Sequence, residues 1–180
     1  FKYDKIDFAV GLEDNFDDKV KAVEDVLASD PDNFKANEVL GEIIYDTLNS
    51  RVEDAPVHSN AAELEAKMIK AFTKAAAAKP GFENPFLYMG DHFINQAVKV
   101  NKLREAHIKE MQARTKPGTK SSPEDLKKRD DLDKEYGTIL VKAQDPYEKA
   151  AVIFAAKPSL DNRDKQQYKK AVNYLADIAS

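Results

Sequence analysis

The chain of 180 residues contains no cysteine and no tryptophan, and only 6 of its residues are glycine. Without cysteine there is no disulfide framework, no thiolate metal site and no cysteine nucleophile; the lack does not by itself point to a compartment. No run of about 18 apolar residues occurs, so no segment is expected to cross a bilayer as a helix. Phosphate-binding and hydrolase signatures are also missing. The stretch Lys116-Pro117-Gly118-Thr119-Lys120 lacks the frame of a phosphate loop, and no Gly-x-Ser-x-Gly elbow is found. The three histidines, His58, His92 and His107, stand too far apart in sequence to form a local metal motif. Asp91 and His92, neighbours on a helix, point about 100° apart. His107 falls in phase with Leu103 and Met111 and reads as a half-buried packing residue. The acid pairs Glu13-Asp14, Asp17-Asp18 and Asp130-Asp131 read as cap and surface charges. Taken together these absences predict no catalytic residues, no metal and no cofactor.

What the chain does hold is 42% hydrophobic and 33% charged residues, a balance that fits a folded, water-facing protein. Few glycines beside plentiful Ala, Lys, Glu, Asp and Leu predict an all-α fold. The net charge of −4 hides a division. Residues 1–60 carry 6 Lys/Arg against 15 Asp/Glu, and residues 61–180 carry 22 against 17. An acidic first third argues against a basic stripe along the whole molecule and so against a nucleic-acid partner. The chain opens on Phe1 rather than Met, as a processed or excised form would.

Helix-start signals recur along the sequence: Asn15 with Asp18, Asn60 with Glu63, Ser122 with Pro123 and Asp125, and Asp145 with Pro146 and Glu148. Asn84-Pro85 reads as a cap followed by proline at the first helical position, and Asn33 and Asn162 as further caps. Apolar residues recur at three and four between these signals, as in Phe16, Val20, Val23, Val26 and Leu27. The run from Phe86 to Met111 has no breaker and predicts one helix of roughly 28 residues, well above the usual length of about 11–12. Breaks fall at residues 29–31, 51–59, 79–84, 115–122 and 157–162. At Pro146 either a new helix starts or one long helix kinks. Eight helical segments and no strand are expected.

Two helix fragments match each other: Asn37-Glu38-Val39-Leu40-Gly41-Glu42-Ile43-Ile44 and Phe86-Leu87-Tyr88-Met89-Gly90-Asp91-His92-Phe93. Each is followed downstream by an Ala-rich helix that ends in Lys-Pro, at Lys79-Pro80 and Lys157-Pro158. A mid-helix glycine costs about 1 kcal/mol against Ala, so two in equivalent settings call for a close helix approach. The pattern resembles the tetratricopeptide repeat family. Leu40 and Gly41 stand at the family's Leu-Gly pair, with Phe72, Ala75 and Pro80 at the Phe, Ala and closing Pro of the second helix. Phe86, Met89, Gly90 and Phe93 match the first helix of a second unit that Pro158 closes. The resemblance implies a right-handed solenoid of antiparallel helix pairs, with Gly41 and Gly90 letting the paired helix approach closely and Phe72 filling the gap between neighbouring pairs. Its divisions would be a partial unit at 1–31, a full unit at 33–80, an expanded unit at 84–158 and a terminal helix at 162–179, all within one domain. Pro31 and Pro80 stand 49 residues apart and Pro80 and Pro158 stand 78 apart, against about 34 in an ordinary repeat. Such stretched units are similar to a subgroup found in cell-envelope proteins of Bacteroidetes, which favours the envelope or periplasm while leaving the cytoplasm open.

In this family the first helix of each pair lines the concave face. Carried over, the lining positions are Lys35, Glu38, Glu42, Tyr45 and Asp46 in one unit, and Asn84, Leu87, Asp91, Ile94 and Asn95 in the next. Glu38, Glu42 and Asp91 would repel a carboxylate, so the expected partner is a protein or peptide, a basic one by preference, with self-association a further option. The resemblance therefore implies a non-catalytic interaction scaffold. The alternative is an envelope receptor for a glycan or peptide, which the absence of Trp weakens.

Overall fold

A computed structural model describes residues 6, 10, 11, 13, 15–50, 59–114 and 120–179. It is all-helical, with no strand among the described residues. Six helices lie wholly within the described residues, in order: α1 (Phe16–Ser29), α2 (Phe34–Leu48), α3 (Ala61–Ala78), α4 (Asn84–Arg114), α5 (Pro123–Ala156) and α6 (Asn162–Ile178). His58, Asp14 and residues 115–119 of the expected loop lie outside the described residues.

The helix ends show which start signals act. Asn15 accepts from the Asp18 amide at 2.9 Å, Asn33 from Ala36 at 2.9 Å and Ser122 from Asp125 at 3.0 Å, so each satisfies a first-turn donor. Three expectations are corrected. Asn60 precedes α3 without a side-chain cap bond. Asn84 lies inside α4, because the Glu83 carbonyl already accepts from Leu87 at 3.1 Å, which moves Pro85 one place further in. Asp161, not Asn162, caps α6 through the Asp164 amide at 2.8 Å. The expected helix count falls as well. Pro146 sits inside one unbroken α5, its ring buried beside Tyr147, so no helix begins at Asp145. Proline there removes one internal hydrogen bond without ending the helix. Any element ahead of Asn15 lies mostly outside the described residues. At 31 residues α4 is slightly longer than expected.

Pairings between helices fix their directions. Asp91 meets Tyr147, Arg104 meets Asp133 and His107 meets Asp125, so α5 retraces α4 antiparallel. Alternate helices run parallel instead. Glu24 and Asp32 pair with Lys67 and Lys74, setting α1 beside α3. Tyr45 meets Tyr88 and the Leu48 carbonyl meets Lys99, setting α2 beside α4. Lys170 reaches Asp91, setting α6 beside α4. The result is two layers, with α2, α4 and α6 in one and α1, α3 and α5 in the other.

The apolar core forms two clusters, one around Val23, Ile44, Met68 and Phe72 and the other around Ala143, Tyr147, Ala150 and Phe154. Ile69 and Phe86 pack against both and join them. Each cluster is centred on a glycine. A methyl group built on Gly41 would lie 2.5 Å from the Phe72 ring, and one on Gly90 would lie 2.7 Å from the Tyr147 ring. Both aromatic rings are fully buried. The side chains therefore occupy space that only a glycine leaves open, and this is the close helix approach expected at Gly41 and Gly90, with the two rings that occupy it supplied by the structure. Lys157 closes the far end, with its ammonium 3.0 Å from Glu83 and 3.1 Å from Asp164, which ties the ends of α4, α5 and α6 together.

Beyond Val98, α4 and the facing first half of α5 extend past the stack as a two-helix arm. Val100 and His107 are buried in its seam, while Leu103 is exposed. The His107 Nε2–H donates to the Asp125 carbonyl at 2.9 Å, so the ring is a packing residue, as expected, and more deeply enclosed than half-buried. Arg104 pairs with Asp133 and lies 5.7 Å from the Tyr136 ring.

Candidate functional site

The layer formed by α2, α4 and α6 brings together most of the side chains expected to line a groove. From α2, Lys35 and Glu38 pair at 3.2 Å, with Glu38 almost fully buried. One turn on, Glu42 is half-buried and takes a hydrogen bond from the Tyr88 phenol. Burial raises its carboxyl above the usual carboxylate range, and the nearby Glu38 charge adds to the rise. The same pair pushes the Tyr88 phenol up to about 12, first by burial and then by the Glu42 charge. Asp46 is exposed a turn further along α2.

The aromatic residues on this face touch. Tyr45 meets Tyr88 edge to face with centroids 4.9 Å apart, and Tyr88 stacks on Phe72 at 5.2 Å. The Tyr45 hydroxyl accepts from Asn95 at 3.3 Å. Asp91 is held between the Tyr147 hydroxyl at 2.5 Å and the Lys170 ammonium at 2.7 Å. Burial and the Asp91 charge hold the Tyr147 phenol protonated far above its ordinary range. Asn84, Leu87, Tyr88 and Asp91 face Arg163, Gln167 and Lys170 of α6 across a shallow cleft of about 130 Å³. Leu87 and Ile94 are buried in the second core cluster, Leu87 at the edge of that cleft and Ile94 away from it.

Tyr88, Lys170 and Tyr147 were not among the expected positions. Tyr88 adjoins Leu87, and the lining set skips it by one residue. Tyr147 carried a readable signal, since Phe72-Ala75 and Tyr147-Ala150 have the same spacing. Lys170 pairs across 79 residues, a separation that no local pattern encodes.

No protein-family model, curated protein or solved structure matches this chain.

A polar chain runs inward from the same face. Asn95 donates to the Asn49 carbonyl oxygen at 3.3 Å, and Asn49 donates to His92 Nδ1 at 3.1 Å. Because the Asn49 amide nitrogen can only donate, Nδ1 accepts and Nε2 carries the proton, which it gives to Glu65 at 3.0 Å. Burial lowers the His92 pKa, against the opposing pull of Glu65, so the imidazole is held neutral. Neighbouring Asp91 and His92 do point apart, one to α6 and the other to α3. Among the described residues no group of three or more His, Asp or Glu side chains is placed to hold a metal, and no helix there is long and apolar enough to cross a membrane. The face offers carboxylates, phenols held protonated and amides, a set suited to accepting hydrogen bonds from a cationic or amide-rich ligand.

Proposed function

We propose that this chain is a non-catalytic protein-interaction scaffold built on tetratricopeptide-like helix pairs, and that the face of α2, α4 and α6 holds a basic segment of a partner protein. The observation that carries this reading is Glu42. Its carboxylate is half-buried against Tyr88, which packs on Tyr45; it makes no ion pair within 4.0 Å among the described residues, although the Lys35 charge acts on it, and it has the exposed Asp46 beside it. Glu38 and Asp91, by contrast, are already neutralised by Lys35 and Lys170. The acidic attraction therefore centres on Glu42 and Asp46, while Asp91 and Lys170 serve to hold α4 against α6. Two phenol rings beside a desolvated carboxylate suit a Lys or Arg side chain, through charge and through the ring faces together.

The test is a fluorescence-anisotropy titration against lysine- and arginine-bearing peptides and their acidic counterparts. Basic peptides are expected to bind preferentially, and Glu42→Gln with Asp46→Asn is expected to weaken them about tenfold while the helical circular dichroism stays unchanged. Equal binding of basic and acidic peptides would overturn the reading. A second reading, a glycan receptor, is favoured by the paired Tyr45 and Tyr88 rings as a stacking platform. Retention of sugars on a glycan array that is lost in Tyr45→Ala and Tyr88→Ala would select it.

A further inference from the structure

The opposite layer carries two clefts that are repeats of one another. The first lies between α1 and α3 over Leu40, with a volume of about 340 Å³, and the second lies between α3 and α5 over Met89, with a volume of about 470 Å³. Leu40 and Met89 each precede the glycine of their unit. The lysines repeat as well: Lys67 and Lys142 stand five residues before Phe72 and Tyr147, and Lys74 and Lys149 stand two residues after them.

The clefts differ in what answers those lysines. In the first, α1 and its following turn supply acid from across the cleft: Glu24 lies 2.7 Å from Lys67, and Asp32 lies 3.0 Å from Lys74. In the second, the wall facing the lysines is α3, which presents Thr73, Ala76 and Ala77 and no carboxylate. Lys142 makes no ion pair among the described residues and lies 5.7 Å from the Phe93 ring. Lys149 turns back to Asp145 on its own helix, 2.8 Å away, and lies 5.8 Å from the Phe86 ring. The second cleft thus has an apolar floor rimmed by two lysines with no acid on the opposite wall; its one lining carboxylate, Asp145, stands on α5 between them, where the first cleft has Lys70.

We propose that the α3–α5 cleft docks an acidic amphipathic helix of a partner protein. Charge complementarity selects this occupant, because the chain itself answers the same pair of lysines with carboxylates one unit earlier. Lys142 and Lys149 are two helical turns apart, about 10 Å, so the docked helix presents two carboxylates two turns apart. An apolar side chain between them covers Met89 and Phe93, the arrangement of a helix laid in a groove. This site lies in the other layer from the Glu42 face and takes the opposite charge, so it stands independently of the basic-segment reading.

The test uses a fluorescein-labelled, alanine-based helical peptide with two glutamates two turns apart and leucines on the same face, beside a twin with lysines in place of the glutamates. By anisotropy at low ionic strength the acidic peptide is expected to bind and the lysine twin to fail. Lys142→Gln with Lys149→Gln is expected to weaken binding about tenfold with thermal melting unchanged. A second variant, Thr73→Asp, returns an acid to the α3 wall where Glu24 stands in the first cleft, and is expected to weaken binding through an internal pair with Lys142. No binding of the acidic peptide, equal binding of its twin, or full binding by the double glutamine variant overturns the proposal.

Discussion

In the shorter pair of helices a phenyl ring lies on Gly41 and makes only apolar contacts. In the longer pair a phenol lies on Gly90, and its hydroxyl reaches Asp91, which in turn holds Lys170. Both rings also stack on a tyrosine of the next helix along the chain, in the opposite layer, Phe72 on Tyr88 at 5.2 Å and Tyr147 on Tyr174 at 5.3 Å. One packing device is thus used twice, to seat two helices closely and to hold the following one. The second use adds a polar tie, through Asp91, to α6, a helix that buries little of its own surface. In α6 only Ala171 is fully buried.

The comparison breaks first at the rings. Phe72→Ala and Tyr147→Ala are each expected to lose about 3–5 kcal/mol in urea unfolding, since both rings are fully enclosed. A loss under about 1 kcal/mol at either would show that its ring does not hold the pair together. Next come the glycines. Gly41→Ala and Gly90→Ala push a methyl group against a buried ring, so a net loss of about 1–3 kcal/mol is expected despite alanine's better helix propensity. Combining Gly41→Ala with Phe72→Leu is expected to cost less than the sum of the single changes, because the smaller side chain makes room. Removing only the hydroxyl sharpens the difference between the units. Tyr147→Phe is expected to cost about 1–2 kcal/mol, with Asp91 keeping Lys170 as partner. Gly137 is the counter-example, a helical glycine in α5 with nothing within 4 Å of a built methyl group. Gly137→Ala is expected to raise stability by about 0.5–1 kcal/mol.

The smallest effect concerns protons. Where the first unit has Ile43, the second has His92, whose pKa is lowered from 6.5 by burial. Below that value an unfolded chain binds a proton that the folded imidazole still refuses, so stability falls as pH drops through 6.5 towards the lower folded pKa, and is unaffected above it. Urea midpoints at pH 7.5 and pH 5.5 are expected to differ more in the wild type than in His92→Asn, since the variant no longer titrates there.

Helix content, most breaks, and the close helix approaches at Gly41 and Gly90 were legible in the sequence because local periodicity and a costly mid-helix glycine encode them. Tyr147 was hidden by its closing proline: Pro80 follows Phe72 by eight residues, but Pro158 follows Tyr147 by eleven. The shift masks a match that the aromatic-Ala spacing preserves. Start signals misled where the backbone chose differently, as at Asn84, one residue inside its helix. The face of α2, α4 and α6 was foreseen as acidic, and its charge on paper counted Glu38 and Asp91. The pairing of Asp91 with Lys170 depends on how helices far apart in sequence come to lie side by side, and spacing carries no record of that.

The arm of α4 and α5 has a mechanical consequence. Past Lys99, whose ammonium reaches the Leu48 carbonyl at 3.3 Å, the side-chain hydrogen bonds of Asn101, Arg104, His107 and Arg114 stay within α4 or go to α5. Residues 98–114 then form a lever about 25 Å long, fixed at one end. A tilt of about 10° at its root, where α4 leaves α2, sweeps the tip through roughly 4 Å. A small rearrangement in the stack is thereby converted into a large displacement at the arm's far end, with the stack as fulcrum.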